Sequence, residues 1–246
     1  MNKPLRNGPS RAEAKQMTPE AGSPETAALT REEEQAELIR RLEEDIIFGR
    51  FAPGSRLVED TLMARYGASR HFVRQGLFQL ERQGIVLREK NIGATVRFYS
   101  SEEVRQIYEV REMLTRQAAL MIALPAPASL IEQLTELQRQ YCTKADAQDL
   151  RGIHEANDAF HIALFSACGN PYLVRSLQDY MNLTLPMRAK NLADKEGLAL
   201  SRRQHEFMIE LLRGRDNWAF AQLCVDHMQF SKSDYLGRIG AKKSAG

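Results

Sequence analysis

The chain has 246 residues, 43% of them hydrophobic and 27% charged, with a formal net charge of +2; this is the profile of a soluble globular protein of one large or two ordinary domains. No apolar run approaches the roughly 20 residues that span a bilayer, and the amino terminus lacks an apolar signal core, so neither membrane insertion nor secretion is expected. Cys142, Cys168 and Cys224 are far apart and odd in number, which reads as reduced thiols in the cytoplasm and not as a disulfide framework.

The small net charge hides an uneven distribution. Arg65 to Arg97 holds seven basic residues against two acids, whereas Arg31 to Asp45 holds seven acids against three arginines. A local basic patch is what contact with phosphates requires.

Residues 1–28 contain Pro4, Pro9, Pro19 and Pro24 among Gly, Ser, Ala and Glu, the composition of a disordered tail. Thr30 followed by Glu33 is a capping-box pattern that opens a helix. Leu38, Ile39, Leu42, Ile46 and Ile47 form its apolar stripe, and Gly49 ends it. After the Phe51-Ala-Pro-Gly54 turn, a second helix is expected from about Val58 to Tyr66, closed by Gly67. Ser69 caps a third that runs to about Gln83, with Val73, Leu77 and Leu80 facing inward and Gly84 as its stop.

Two short helices joined by a tight turn suit a helix-turn-helix. Arg70 and Arg74 sit one turn apart at the start of the second, so their guanidinium groups leave the same end of one helix. Such a helix fits the major groove, where Arg pairs bidentately with guanine. Ile85 to Arg97 has β-branched ends around Asn91 and Gly93, which suggests a small hairpin and hence a winged helix. Its tip, Lys90 to Gly93, can lie along the minor groove.

A linker is expected near Phe98 to Ser100, and everything afterwards has helical period. One helix starts at Ser101 and is broken by Pro125 and Pro127. The next carries Leu130, Leu134, Leu137 and Tyr141. Others span about Asp149–Cys168, Tyr172–Lys190 with a possible kink at Pro186, Leu198–Arg213 and Asn217–Leu236. The expected fold class is mainly α, with an amino-terminal winged helix-turn-helix at 29–98 bearing a small β-hairpin. An antiparallel bundle of six or seven helices at 101–237 follows, then a flexible tail at 238–246. Bundle interiors are where all-α proteins build ligand sites.

In this order and spacing, Phe48-Gly-Arg-Phe-Ala-Pro-Gly-Ser-Arg-Leu57, Gly67-Ala-Ser-Arg70, Val73-Arg74 and Leu80-Glu-Arg-Gln-Gly84 resemble the winged helix of GntR-type transcription regulators. Phe160-His161, Cys168-Gly-Asn170, His205, Arg213-Gly-Arg-Asp216 and His227 resemble the ligand-binding (FCD) bundle of their FadR subfamily. The resemblance covers about residues 31–237 and implies a DNA-binding transcriptional regulator, a repressor by type, and not an enzyme. It makes Arg70 and Arg74 the base or phosphate readers. Ser69 caps the helix and can bind phosphate through its hydroxyl. His71 either bonds a base or phosphate or stands as a solvated surface residue, and Gly93 lets the wing backbone approach DNA closely. The chain departs from the family pattern at Phe72, Gln75 and Gly76. Where some relatives carry a further DNA-contacting Arg before the turn, this chain has Asp60, and that contact is not carried over.

One such module covers only about 600–1,000 Å² of DNA, so a homodimer reading a short palindromic operator is expected. In the bundle, the resemblance implies a divalent metal, Zn²⁺ or Ni²⁺, held by Asn157, His161, His205 and His227. The three imidazoles fall on three different helices, and Asn157 lies one turn before His161 on the same face. His154 shares that face as a further pocket residue or a plain polar position. Arg111 can pair with the carboxylate of a small organic acid effector or form an interhelix ion pair. A metal-dependent enzyme built on the three His, or a direct sensor of metal, are the alternatives. No HExxH or nucleophile motif accompanies the triad to support the first.

Overall fold

Local capping chemistry sets the first three helices, as seen in a computed structural model that describes residues 30–89, 93–192 and 194–244. The tail expected at 1–28 and the wing-tip residues Lys90, Asn91 and Ile92 lie outside the described residues. Thr30 caps α1 (Arg31–Ile47): its hydroxyl accepts from the Glu33 N–H while the Glu33 carboxylate accepts from the Thr30 N–H at 2.7 Å. Gly67, in the left-handed conformation, ends α2 (Glu59–Tyr66), and Ser69 accepts from the Phe72 N–H to open α3 (Arg70–Arg82).

The expected hairpin is β2 (Val86–Glu89) paired with β3 (Gly93–Val96), but the sheet has three strands in the order β1-β3-β2. Its added edge strand is β1 (Arg56–Leu57), antiparallel to Thr95 and Ala94. Two residues carry no periodicity of their own; pairing with β3 makes them a strand. Leu38, Leu42, Ile46, Leu62, Val73, Leu77 and Leu80 form the core of this module. Asp45 sits buried at its edge, where it accepts from Arg50, Arg65 and the Tyr66 hydroxyl and so ties α1 to α2.

Among the described residues seven helices follow: α4 (Ser101–Leu120), α5 (Ala128–Asp146), α6 (Leu150–Ser166), α7 (Pro171–Leu183), α8 (Leu185–Leu192), α9 (Lys195–Leu211) and α10 (Asn217–Ser244). Their core centres on Leu134, Phe160, Leu164, Met208, Leu212 and Phe220. The single helix expected over Tyr172–Lys190 is two, parted at Thr184. Pro186 has no N–H and its ring would strike the carbonyl four residues back, so it is accommodated in the first turn of α8. The flexible tail expected from 238 is also corrected, because α10 continues to Ser244. Gly237 and Gly240 each cost about 1 kcal/mol of helix propensity, but Ile239 is buried, and burying such a side chain returns roughly 1.5–3 kcal/mol.

The junction between the modules is packed. Tyr99, in the expected linker, is fully buried and donates its hydroxyl to the Gly84 carbonyl at 2.7 Å. Gly84 has φ +74°, and a Cβ there would stand 2.9 Å from Leu183 of α7, so a side chain is excluded on both counts. Leu185 of α8 is buried among the apolar residues of the winged-helix core. Among the described residues, no helix is long and apolar enough to cross a membrane.

Gly76 faces α1 in the middle of α3, and a Cβ there would meet Ile39 Cγ1 at 3.4 Å, an ordinary contact. Gly76→Ala is therefore expected to raise stability by about 0.5–1 kcal/mol through helix propensity. Thermal or denaturant unfolding checks it, and a destabilised variant would mean that the α1–α3 crossing has no room for the methyl group.

Candidate functional site

The basic end of α3 is exposed. Arg70 and Arg74 have side chains 50% and 58% accessible, and Ser69 and His71 beside them are exposed as well. Both guanidinium groups are already engaged by the first turn of α2. Arg74 Nε donates to Glu59 Oε1 and Oε2 at 2.9 and 3.0 Å, and Arg70 Nη2 donates to Asp60 Oδ1 at 2.5 Å. Bonding to Glu59 raises the pKa of Arg74 above its ordinary value. Gly93 lies across a groove from this end at the start of β3, with φ +97° and the Arg56 guanidinium 3.8 Å from where its Cβ would be. Arg56 and Arg88 line the same groove. Neither was singled out from the sequence, because a strand of two residues gives Arg56 no recognisable facing.

In the bundle, His161 of α6, His205 of α9 and His227 of α10 converge, with one ligand nitrogen of each within 4.8 Å of the others. Their protons can be placed from their partners. Gln138 donates its amide to the Arg202 carbonyl at 3.1 Å, which turns its Oε1 toward His205 Nδ1 at 3.0 Å. Gln204 Oε1 stands 2.8 Å from His227 Nδ1. An oxygen acceptor at Nδ1 puts the proton there and leaves a lone pair on Nε2. His161 Nε2 lies 3.1 Å from His227 Nε2 and 3.3 Å from His205 Nε2. One neutral imidazole can donate to only one of them, so at least one contact sets lone pair against lone pair. A cation between the three removes that repulsion. Tetrahedral ligands about 2.0–2.1 Å from Zn²⁺ are about 3.3 Å apart, so the donor set fits such an ion.

Asn157 is buried one turn before His161 and lines the same cavity. Its Nδ2 contacts Asp158 Oδ1 at 3.4 Å, and its Oδ1 makes no hydrogen bond among the described residues. The cavity, of about 40 Å³, is also lined by Arg111, Arg188, Ser201 and Gln204. At roughly 15 Å³ per water, it holds two or three waters.

Arg111 of α4 is buried, not part of an interhelix ion pair: among the described residues no carboxylate lies within 4.0 Å of it. Its Nη1 donates to Thr184 Oγ1 at 2.9 Å. Burial, aided by the nearby Arg188, pulls its pKa down to about 10. Arg188 of α8, which the sequence did not single out, is buried in the same wall and grips Asp158 with two bonds, Nη1 to Oδ1 at 2.7 Å and Nη2 to Oδ2 at 3.1 Å. Burial would raise the Asp158 carboxyl, but Arg188 holds it below its ordinary value. His154 turns away from the cavity and lies 3.5 Å from Asp158. The cavity thus presents two guanidinium groups, of which Asp158 neutralises one.

Residues 106–230 match the FCD domain model and residues 34–96 match the model of bacterial regulatory proteins of the gntR family. The HTH-type transcriptional regulator YdhC of Bacillus subtilis is 25% identical over 195 residues, covering 78% of this chain and 86% of its own. The HTH-type transcriptional repressor GlaR of Escherichia coli is 26% identical over 203 residues, covering 77% and 90%. Escherichia coli McbR/YncC shares the fold at a TM-score of 0.61 with 16% identity, over 85% of this chain and 98% of that one. These families and relatives are transcriptional regulators, not enzymes.

Burial, together with neighbouring positive groups, holds His161 and His205 well below the ordinary histidine value of 6.5 and His227 at about 3; burial and Arg188 hold His154 at about 4. Below pH 6.5 they stay neutral in the fold while the unfolded chain protonates them, so the stability they allow is fully present above pH 6.5. That stability is lost as pH falls through the window from 6.5 toward these lower values. Chelator-treated protein is therefore expected to lose up to about 1.4 kcal/mol per pH unit for each such group below 6.5. Unfolding curves between about pH 8 and pH 5 test this, and a flat stability profile would contradict the placement of the rings.

Proposed function

The chain belongs to the GntR family of bacterial regulatory proteins, with an FCD domain in its carboxy-terminal part, and on that premise we propose that it is a homodimeric repressor whose hold on a palindromic operator is set by a small organic acid bound in the bundle. Ser69, Arg70, His71, Arg74 and Gly93 form the DNA-reading face. Arg70 and Arg74 supply the guanine or phosphate contacts, and Gly93 admits the wing backbone to the groove.

Within the bundle, Asn157, His161, His205 and His227 hold a divalent metal, Zn²⁺ or Ni²⁺; once bound, it supplies a Lewis-acid anchor for a carboxylate. Asn157 contributes a neutral amide oxygen, so the donor set carries no charge of its own and an anion meets less repulsion. Arg111 is the guanidinium left for the effector, since among the described residues no carboxylate pairs with it and its Nη1 donates to a neutral hydroxyl. The size of the cavity favours a small acid.

The observation that carries the regulatory reading is the reach of α8. Within four residues it places Leu185 in the winged-helix core, Met187 against Tyr99 and Tyr108, and Arg188 in the cavity wall. An effector that favours one position of Arg188 thereby favours one pose of the reader, which is the differential affinity that coupling between two sites requires.

Elemental and small-molecule analysis of the purified protein is expected to find a divalent metal and a carboxylic acid. His205→Ala combined with His227→Ala should abolish the stoichiometric metal, and metal retained by that variant would move the site elsewhere. If metal alone switches operator affinity over a physiological range, the protein senses metal and not an acid. Arg74→Ala should weaken operator binding by about tenfold or more, with the bundle still folded by circular dichroism; unaltered binding would remove Arg74 from the reading face.

A further inference from the structure

The acid at position 60 stands where a DNA-facing surface has most reason to exclude one. It lies in the first turn of α2, beside the start of α3, and its side chain is 72% exposed. Phosphates would repel it at that place, and helix-dipole stabilisation in the first turn is available to Glu59 alone without it. Glu59 differs from it. That residue is partly buried, at 29%, spreads both oxygens over Arg74 Nε, and also reaches Arg70 Nη1 with Oε2 at 3.5 Å, a buttress shared by the two arginines. Asp60 instead commits one oxygen: Oδ1 takes Arg70 Nη2 at 2.5 Å, and Oδ2 has no hydrogen-bond partner among the described residues.

Arg70, held by Asp60 at Nη2 and approached by Glu59 at Nη1, still has N–H groups that neither acid takes, and the second oxygen of Asp60 beside them is an acceptor. In the major groove the groups complementary to that pair are the O6 and N7 acceptors of guanine and the exocyclic amino group of cytosine, which Asp and Glu accept from. We propose that Asp60 is a specificity-determining residue: it positions Arg70 on a guanine and offers its free oxygen to the N4 amino group of a cytosine in the same or the adjoining base pair. The inference rests on the DNA-reading role of Arg70 given above. It also means that Asp60 restrains binding to random DNA, because it withholds part of the Arg70 charge from phosphates.

The test uses the full-length chain and a library of randomised duplex DNA, with the unaltered protein, Asp60→Ala, Asp60→Asn and Arg70→Ala carried in parallel. The unaltered protein is expected to select a C·G pair in each half-site, and Asp60→Ala to relax that pair by about tenfold or more. Asp60→Asn should move the preference toward A·T, since an amide matches adenine N6 and N7. On a duplex of random sequence, Asp60→Ala should bind more tightly, with a salt dependence steeper by about one phosphate contact. Arg70→Ala should lose the guanine preference. If Asp60→Ala selects the same sequences within twofold at every position, or relaxes a position that is not C·G, the assignment of Asp60 is overturned while the reading face stands. If the unaltered chain selects no sequence, the reading face itself falls and the assignment falls with it.

Discussion

Two hydrogen bonds, from His205 Nδ1 to Gln138 and from His227 Nδ1 to Gln204, decide what the bundle can bind. They spend the imidazole protons on the outer side and leave unprotonated nitrogens crowded around His161. Protonation would relieve the crowding in water, but here burial and the Arg111 and Arg188 charges oppose it. A second-row glutamine is well suited to this task. A carboxylate in its place would hold a proton on Nδ1 equally well while adding negative charge near a cavity whose positive potential is needed for an anion.

The same positive groups connect the cavity to the rest of the fold. Arg188 is anchored to Asp158, the neighbour of Asn157 on α6, and it sits on the helix whose first residue is packed into the winged-helix core. Arg188 and Leu185 stand within one turn of α8, so in the regulation proposed above a displacement of the one would reach the other without a long chain of intermediate contacts. Tyr99 adds a second tie across the junction, because its hydroxyl bond to Gly84 fixes the end of α3 to the start of the bundle. A loose tether would let the two modules move independently; a packed junction is what the proposed regulation requires.

Most of the elements were legible because their signals are local. The Thr30–Glu33 box, the Gly67 and Gly84 stops and the Ser69 cap each act within four residues, and each stands where the sequence put it. What was not legible depends on distant partners. Arg56–Leu57 is a strand only because β3 lies alongside, and residues 238–244 stay helical with the help of Ile239, whose burial is of the same size as the cost of two glycines. Pro186 signalled an interruption, but not that α7 would end at Leu183 and α8 begin at Leu185, with Thr184 between them. The triad could be placed on three helices from period alone, yet its convergence came from the family pattern. Arg188 had no signal, since its partner Asp158 is 30 residues away on another helix.

On the proposed reading face, a chain of nearly neutral net charge would address a polyanion in a particular way. Its arginines are not free cations waiting for phosphate; each is bonded to an acid in the first turn of α2. Such surface pairs contribute little to stability, about 0–1 kcal/mol each, so folding alone gives no reason to gather four charges there. Their effect falls on recognition. An arginine oriented by a carboxylate loses less conformational freedom on meeting a base, and it adds less to the sequence-independent attraction that lets a basic helix bind any DNA. Both effects widen the gap between specific and random binding, the quantity on which a regulator facing an excess of competing sites depends.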